Sequence, residues 1–497
     1  MGYGFGRWIG LAVMAGCAAE VPPAGEIVSA EDRLATADEL RNARGSFNDF
    51  LLDLARWYRE IYTPPLDFDG DGYADMAAGV AGFPNEQVQV FYGGPAGLSA
   101  VPDAVLPSPS PTLVLAFAES AGAGDVNGDG YTDLVVGANN GNTAGQAFVY
   151  LGGPAGLATT PAQTLNGLDT GVPTLAFGYQ VAAARDVDLD GYDDVLVSAV
   201  ASPTQALQNG VAFVYRGGPG GLETLPTWTL YGTGGTRDNF GSSMISTHLN
   251  FDCWPDLVIG EARNILFGGN STGRVHVFLG GPTGYASTAD QVLLGPSGPL
   301  NSFGLQVTNV GDINLDGHGD FAVGEPLVNG FTGTAWVYLG TDTGVDEVPG
   351  LQLDPPAGSA GGFFGWSQAG GGDADRDGFA DIAVGETDAS NYEGRAHVYF
   401  GPFWVWPGSA SNPVVVTPDQ TLAGTHTGEA YFGQEMSFVG DLDGNRSDEL
   451  IVGAPWADVR GRVYTFEGTT PGAVGAAPKQ TFASTLTTGR FGLSLAR

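Results

Sequence analysis

An acidic nine-residue loop recurs seven times along this chain, at intervals of 58 to 68 residues. Its plainest copy, at residues 125–133, reads Asp-x-Asn-x-Asp-Gly-x-x-Asp. The copies begin at Asp67, Asp125, Asp186, His248, Asp312, Asp373 and Asp441. Side-chain oxygens at positions 1, 3, 5 and 9, with a glycine for the sharp turn at position 6, match the needs of a hard cation such as Ca²⁺. A repeat of this length also indicates one structural unit copied around or along an axis.

Five of the loops are close to the ideal pattern. The carbonyl of position 7 completes the predicted ligand set, and the aspartate at position 9 can bind through both oxygens. Mg²⁺ is a poorer match, because it tends to keep several of its waters. The predicted ligands in these loops are Asp67, Asp69, Asp71, Tyr73 and Asp75; Asp125, Asn127, Asp129, Tyr131 and Asp133; Asp186, Asp188, Asp190, Tyr192 and Asp194; Asp312, Asn314, Asp316, His318 and Asp320; and Asp373, Asp375, Asp377, Phe379 and Asp381.

Two loops depart from the pattern. The seventh has Arg446 in place of the glycine, and its predicted ligands are Asp441, Asp443, Asn445, Ser447 and Glu449. The fourth begins with His248 and has Cys253 in place of the glycine, so that Asp252 and Asp256 are its only charged positions. We predict that this fourth loop is empty or weak and that Cys253 is a buried, unreactive thiol. The sequence therefore predicts about five or six bound Ca²⁺ ions.

The bulk composition excludes several classes of partner. The net charge of −36 argues against direct binding to nucleic acid or to an anionic lipid surface. Two cysteines are too few for a disulfide framework.

The N-terminal residues resemble a bacterial lipoprotein signal. A short apolar run precedes Cys17, which would be lipidated after cleavage; an ordinary cleaved signal is the alternative. We predict a signal segment at 1–16, a tether at 17–45 and an amphipathic helix at 46–63. The protein is accordingly predicted to be exported and lipid-anchored at the cell envelope or surface, or otherwise secreted, with no membrane contact besides the anchor.

From residue 66 onward each unit follows one plan. A Phe-Gly segment leads into the acidic loop, and three further short strands follow, as expected for a propeller blade. The first acidic loop has no Phe-Gly before it, and the last Phe-Gly, at Phe491, has no acidic loop after it. Pairing this C-terminal segment with the first unit would complete a blade and remove exposed sheet edges. We predict an all-β fold: a seven-bladed β-propeller over residues 66–497, closed by a C-terminal strand and predicted to be monomeric.

The order of Phe-Gly, acidic loop and a Gly-Ala-Pro-like segment, literal only at residues 453–455, resembles the FG-GAP repeat family. That family includes the β-propeller of integrin α subunits and many bacterial surface proteins. The resemblance covers residues 66–497 and implies calcium in the acidic loops on one face. It also implies partner binding by the loops between the second and third strands on the opposite face. The leg domains and transmembrane helix of an integrin are not found in this sequence.

These observations favour a calcium-stabilised surface module that binds a protein or a glycan. An enzyme acting on a polysaccharide or lipid and a structural subunit of the envelope remain alternatives. His276 and His397 share a strand position with aromatic residues, which predicts packing rather than catalysis. The segment Phe403–Trp406 is predicted either to cap the outer edge or to form an aromatic contact. We identify no catalytic residues.

Overall fold

A computed structural model of the chain describes residues 66–82, 86–109, 116–139, 144–172, 176–200, 210–233, 238–250, 252–263, 273–298, 301–359, 361–408, 412–426 and 428–496. The predicted signal segment, tether and amphipathic helix lie outside the described residues, as does Cys17. Among the helices described, none has the length and apolar character needed to cross a membrane.

The described residues form seven β-sheets, each built around four antiparallel strands. Short helical turns lie at Gly167–Thr170, Val328–Phe331 and Ala389–Tyr392. In chain order the strands are β1 (Met76–Ala81), β2 (Gln87–Phe91), β3 (Ala104–Pro107), β4 (Ala116–Gly124), β5 (Asp133–Asn139), β6 (Gln146–Tyr150), β7 (Gln163–Asn166), β8 (Phe177–Arg185), β9 (Asp194–Ala199), β10 (Val211–Tyr215), β11 (Trp228–Tyr231), β12 (Asp238–Thr247), β13 (Asp256–Arg263), β14 (Arg274–Phe278), β15 (Gln291–Leu294), β16 (Val307–Gly311), β17 (Asp320–Glu325), β18 (Thr334–Tyr338), β19 (Gly340–Thr341), β20 (Gly344–Val345), β21 (Leu351–Leu353), β22 (Phe364–Gly372), β23 (Asp381–Glu386), β24 (Arg395–Tyr399), β25 (Val414–Val416), β26 (Gln420–Leu422), β27 (Glu435–Phe438), β28 (Leu450–Ala454), β29 (Arg462–Phe466), β30 (Gly468–Thr470), β31 (Ala473–Val474), β32 (Gln480–Ala483) and β33 (Arg490–Leu495).

The seven sheets are the blades of a propeller, which confirms the predicted all-β fold and blade number. Blade 1 contains β33, β1, β2 and β3, and blades 2 to 4 contain β4–β7, β8–β11 and β12–β15. Blade 5 contains β16, β17, β18 and β21; blade 6 contains β22, β23, β24 and β26; blade 7 contains β27, β28, β29 and β32. The first strands of neighbouring blades contact one another, so they line the centre of the array.

The sequence analysis did not predict one strand. β25 pairs in parallel with β21, so that Leu351 lies opposite Val414 and blade 5 gains a fifth strand from the sixth unit. Two short hairpins, β19–β20 and β30–β31, lie outside the blades.

Buried side chains between neighbouring blades form the core. Seven clusters fill the seven boundaries, including the one between blades 7 and 1, where Phe91 and Phe491 pack with Ile451. Burying an aromatic side chain of this size stabilises a fold by roughly 1.5–3 kcal/mol. The first residue of every Phe-Gly segment is buried: Phe117, Phe177, Phe240, Phe303, Phe364, Phe432 and Phe491.

The residue after each of these phenylalanines has a left-handed backbone conformation. Gly178 has a φ of 78°, and a Cβ atom there would lie 2.3 Å from the carbonyl oxygen of Gln146. The phenylalanine of each Phe-Gly segment is therefore a packing residue, and the glycine after it allows the left-handed backbone conformation. Ala118, in the variant Phe117-Ala118, reaches a φ of 65° without being glycine.

The C-terminal strand completes the first blade. β33 pairs antiparallel with β1, with Val80 opposite Phe491 and Ala78 opposite Leu495. The hydroxyl of Ser494 also donates a hydrogen bond to the carbonyl of Ala118 in blade 2 at 2.6 Å. Blade 1 is thus assembled from two segments about 400 residues apart in sequence.

We predict that deletion of residues 491–497 causes far more damage than the loss of an ordinary C-terminal tail. The deletion removes the buried Phe491 and exposes the backbone groups of β1 as an unpaired edge. The expected result is aggregation or a sharply lower melting temperature, measured by light scattering and thermal unfolding. Removal of residue 497 alone is the control. A monomeric and equally stable 491–497 deletion would contradict closure by the C-terminal strand.

Candidate metal centre

The seven acidic loops lie on one face of the propeller, because each leads directly into the second strand of its blade. We call this the acidic face. Backbone hydrogen bonds connect five of the seven pairs of neighbouring loops, in which the N–H at position 8 of one loop donates to the position 1 carbonyl of the loop before it. Thr132 donates to Asp67 at 2.9 Å, and Ala74 donates to Asp441 at 3.0 Å. The loops of blades 1 and 7 are therefore adjacent on this face.

The carboxylate at position 1 organises the turn of its own loop. Oδ1 of Asp67 accepts hydrogen bonds from the N–H groups of Gly70 and Asp71, and Oδ2 accepts one from Gly72. Gly72 has a φ of 88°, which confirms the sharp turn predicted at position 6. The same left-handed conformation occurs at Gly130, Gly191, Gly317 and Gly378. In the seventh loop Arg446 adopts a φ of 73° without being glycine.

The carboxylate at position 9 is buried and joins two segments of the blade. One oxygen of Asp75 accepts the N–H of Phe68 at 2.7 Å, and the other accepts the N–H of Gly93 at 2.8 Å. Each oxygen keeps a further lone pair that a cation can use. The same two hydrogen bonds recur at Asp133, Asp194, Asp256, Asp320 and Asp381.

The glycine that follows the third strand is a site residue that the sequence analysis missed. A Cβ atom on Gly93 would lie 2.2 Å from the carbonyl oxygen of Ala74, and one on Gly152 would lie 2.4 Å from that of Thr132. Glycine alone lets the third strand approach the acidic loop closely enough to bond its last carboxylate. The Gly-Gly that recurs after the third strand is the signal that could have revealed this role.

Carboxylates converge in four of the loops, where the oxygens of three side chains lie within 4.8 Å of one another. The groups are Asp67, Asp69 and Asp71; Asp186, Asp188 and Asp194; Asp373, Asp375 and Asp381; and Asp441, Asp443 and Glu449. In the third loop, Oδ2 of Asp188 pairs with Arg216 at 2.5 Å, while Oδ1 is buried without a hydrogen-bond partner among the described residues. Buried carboxylates require compensation, so this donor set fits a hard divalent cation with six to eight oxygen ligands.

The protein environment favours protonation of these carboxylates when no cation is present. Burial is the largest cause, and it raises the pKa of Asp75 and Asp133 to about 7 and that of Asp194 to about 8. Neighbouring loop carboxylates add to the effect, whereas the backbone hydrogen bonds oppose it. A bound divalent cation would reverse this balance, because it is the largest local charge.

The fifth loop is covered by the segment Phe403–Trp406. Phe403 and Val405 are buried between blades 5 and 6, and the side-chain amide of Asn314 donates to the carbonyl of Val405 at 3.0 Å. Trp404 and Trp406 point outward and are 56% and 43% exposed. The segment therefore covers a loop of the acidic face, whereas the sequence predicted a cap of the outer edge or an aromatic contact, and its two tryptophans are exposed.

The fourth loop has little negative charge. His248 is buried, and burial lowers its pKa to about 3, so position 1 is neutral. Asp256 keeps its two backbone hydrogen bonds, which explains its presence in a loop with poor ligands. Cys253 is half-buried rather than buried, and its lack of reactivity stays a prediction.

The two histidines of the third strands are fully buried, in agreement with the predicted packing role. Nε2 of His276 lies 2.5 Å from Oε2 of Glu261, and Nε2 of His397 lies 2.9 Å from Oε2 of Glu386. The carboxylate partners were not predicted. Both pairs are closed off from solvent and therefore from any substrate.

Sequence comparisons agree with this geometry. The FG-GAP repeat model matches residues 117–150 and 177–215, which belong to blades 2 and 3. Integrin alpha-PS3 of Drosophila melanogaster is 29% identical over 220 residues, or 43% of this chain and 19% of the relative. Integrin alpha-6 of Gallus gallus is 35% identical over 156 residues, or 31% of this chain and 14% of the relative. The chain thus matches less than a fifth of the length of these curated relatives.

A solved structure from Bacteroides uniformis, described as a candidate 6-phosphogluconolactonase, shares the fold. It aligns with a TM-score of 0.50 and 9% identity, over 82% of this chain and 99% of that protein. An identity this low supports the propeller architecture alone.

The Phe-Gly segments, the acidic loops, the seven blades and the similarity to integrin α subunits lead to one conclusion. Two segments of the chain match the FG-GAP repeat, part of the chain is similar to integrin α subunits, and the described residues fold as a seven-bladed β-propeller.

Proposed function

We propose that this protein is a calcium-stabilised extracellular binding module whose ligand, a glycan or a protein, contacts the face opposite the acidic loops. One observation carries the proposal: a row of aromatic side chains, two exposed and one half-buried between them, crosses that face. We define the aromatic row as Tyr392, Tyr431 and Trp456. The ring centroids of Tyr392 and Tyr431 are 5.6 Å apart, and those of Tyr431 and Trp456 are 5.9 Å apart.

The aromatic row is assembled from several blades. Tyr392 comes from the loop between the second and third strands of blade 6, Tyr431 precedes the Phe-Gly segment of blade 7, and Trp456 lies in the corresponding loop of blade 7. The guanidinium of Arg490, at the start of β33, lies 3.8 Å from the centre of the Trp456 ring. Such a cation–π contact contributes about 0.5–1 kcal/mol at an exposed site and fixes the orientation of the indole.

The backbone holds the aromatic row in a strained conformation. Tyr392 and Tyr431 have φ angles of 69° and 53°, in the left-handed region that costs a residue with a Cβ about 1–2 kcal/mol. The N–H of Tyr431 donates to the carbonyl of Tyr392 at 2.9 Å, which locks the two together. Strain of this kind concentrates at ligand sites. One blade earlier, Phe331, Phe363 and Trp366 form a second aromatic cluster in the equivalent place.

Charge narrows the class of ligand. Asp388 and Glu429 lie close enough to Tyr431 to help burial raise its pKa. Together with the net charge of −36, these carboxylates favour a neutral or cationic ligand over an anionic polysaccharide. Aromatic rings flanked by hydrogen-bonding carboxylates suit both sugar rings and apolar or basic side chains of a protein.

Removing the aromatic row should abolish ligand binding without unfolding the protein. We predict that Tyr431→Ala and Trp456→Ala each weaken binding at least tenfold, measured with a glycan array and with defined protein ligands at millimolar calcium. Trp404→Ala is the control, because Trp404 is also an exposed tryptophan but contacts Phe379 on the acidic face. Equal losses in all three variants, or none in the first two, would contradict the proposal. Turnover of a bound polysaccharide or lipid would instead favour an enzyme.

Calcium binding is the second part of the proposal. Its support is the convergence of carboxylates in the loops that begin at Asp67, Asp186 and Asp373, together with the same backbone geometry around Asp125 and Asp312. In these five loops the residues at positions 1, 3, 5, 7 and 9 would hold the ion, which would compensate the buried carboxylates. The ion would supply structural stability only.

We predict that chelation lowers the melting temperature substantially. At about 1 mM calcium, sites with a Kd of about 10⁻⁴ to 10⁻³ M contribute roughly 0.4–1.4 kcal/mol each. Five such sites would add roughly 2–7 kcal/mol, which is comparable to the net stability of a domain. Thermal unfolding with and without a chelator measures this, and an unchanged melting temperature would refute the calcium assignment.

Individual loops should differ in their contribution. Asp377→Ala removes a carboxylate from a loop with four aspartates and should abolish binding of one ion. Asp252→Ala lies in the fourth loop and should leave the number of ions unchanged. Native mass spectrometry counts the ions, and equal losses in both variants would show that our ranking of the loops is wrong.

We also propose export and lipid anchoring through Cys17. A lipid thioether at Cys17 and a disulfide between Cys17 and Cys253, the two cysteines of the chain, exclude each other. Mass spectrometry of N-terminal peptides from the native envelope should find a diacylglyceryl group on Cys17. A disulfide-linked peptide that contains both cysteines would contradict the anchor.

A further inference from the structure

We propose that the ammonium group of Lys479 is the resident cation of the seventh acidic loop and takes the place of calcium there. Lys479 is the only lysine among the 497 residues of the chain. Its Nζ donates to Oδ2 of Asp443 and to Oε2 of Glu467 at 2.8 Å, and lies 3.6 Å from Oε1 of Glu449. Asp443 and Glu449 are two of the three carboxylates that converge in this loop. The inference rests on the proposed calcium binding by the other loops.

The positive charge of Lys479 lies at a position of the blade that carries a negative charge in blades 1, 4 and 6. The N–H of Lys479 donates to the third strand at Thr465, and the same register position in blades 1, 4 and 6 is occupied by aspartate. Those residues, Asp103, Asp290 and Asp419, each accept a backbone N–H just after the third strand. In blade 7 the side chain at this position is a cation directed at the acidic loop.

The other groups around this loop are arranged for a hydrogen-bonding cation. Glu467, just after β29, supplies a carboxylate that also pairs with Arg376 of the sixth loop at 2.9 Å. The side-chain amide of Asn445, at position 5, donates to Glu467 at 2.6 Å and lies 3.4 Å from Glu449. In the five regular loops position 5 is aspartate, which supplies a carboxylate where the seventh loop has the neutral amide of Asn445.

Calcium and Lys479 cannot share these oxygens. Calcium binds its oxygens at about 2.3–2.6 Å, and an ammonium at hydrogen-bond distance from the same carboxylates fills that space and cancels their charge. A lysine is suited to this role, because its ammonium is a compact point charge with three donors, whereas arginine presents a wide planar fork. Lys479 is 25% exposed, so its compensating charge is partly shielded from solvent.

The test compares Lys479→Met with wild type and with Lys479→Arg, which keeps the charge. Native mass spectrometry at millimolar calcium should find one more bound ion in Lys479→Met than in the other two proteins. Thermal unfolding should show that Lys479→Met is less stable than wild type in chelator and regains stability in calcium. An unchanged ion count together with no calcium-dependent recovery would overturn the inference.

A second variant keeps the inference testable if Lys479→Met does not fold. Asp443→Ala in the wild-type background should leave the ion count unchanged, and loss of one ion would overturn the inference. Asp377→Ala, in the sixth loop, separates this result from the calcium assignment itself. If Asp377→Ala loses an ion while Lys479→Met gains none, the assignment of Lys479 as the resident cation is wrong, and calcium binding by the other loops stands. If wild type binds no calcium, the proposed function fails instead.

Discussion

The buried carboxylate at position 9 of each acidic loop is the interaction on which the rest of the structure depends. In six of the seven blades its two oxygens accept backbone N–H groups from the loop itself and from the turn after the third strand, as Asp75 does with Phe68 and Gly93. In blade 7 the N–H of Gly468 donates to the hydroxyl of Ser447 instead. A buried charge of this kind is costly unless it is compensated. These carboxylates therefore fix the acidic loop to the third strand and require positive charge nearby.

The acidic loops differ in how their buried carboxylates are compensated. Five loops offer enough oxygens for a divalent cation. The fourth loop has lost charge at position 1, where His248 is buried and neutral, but remains fixed to the third strand through Asp256. The seventh loop has Lys479 among its carboxylates. Calcium dependence would therefore be distributed unequally over the blades, although their strands are alike.

The opposite face is built from the other ends of the second strands and has a different character. Its loops contain aromatic rings on strained backbone, such as the exposed Tyr392 and the half-buried Tyr431. Because the acidic loops and these aromatic side chains lie at opposite ends of the same strands, cations can stabilise the blades without occupying the ligand surface. This separation is what a binding module with a structural metal requires.

The sequence predicted the blades, the C-terminal strand and the place of the acidic loops, because these depend on patterns that are local and repeated. The ligand set within the loops stays a prediction. It did not reveal β25, whose pairing with β21 joins two units, or the role of Gly93, which is visible only when the third strand approaches Ala74. The aromatic row was also hidden, since its members are separated in sequence and meet only across blade boundaries. Lys479 lies about 30 residues from the loop that it enters, so spacing alone could not assign it.

The central claim is that metal ions, and in one loop a lysine, compensate the buried carboxylates of the acidic face. The most direct test is a crystal structure grown in calcium, with anomalous diffraction used to locate the ions. The account predicts anomalous peaks in the loops that begin at Asp67, Asp125, Asp186, Asp312 and Asp373, and none in those that begin at His248 and Asp441. Absence of peaks from the five loops, or a strong peak beside Lys479, would contradict it.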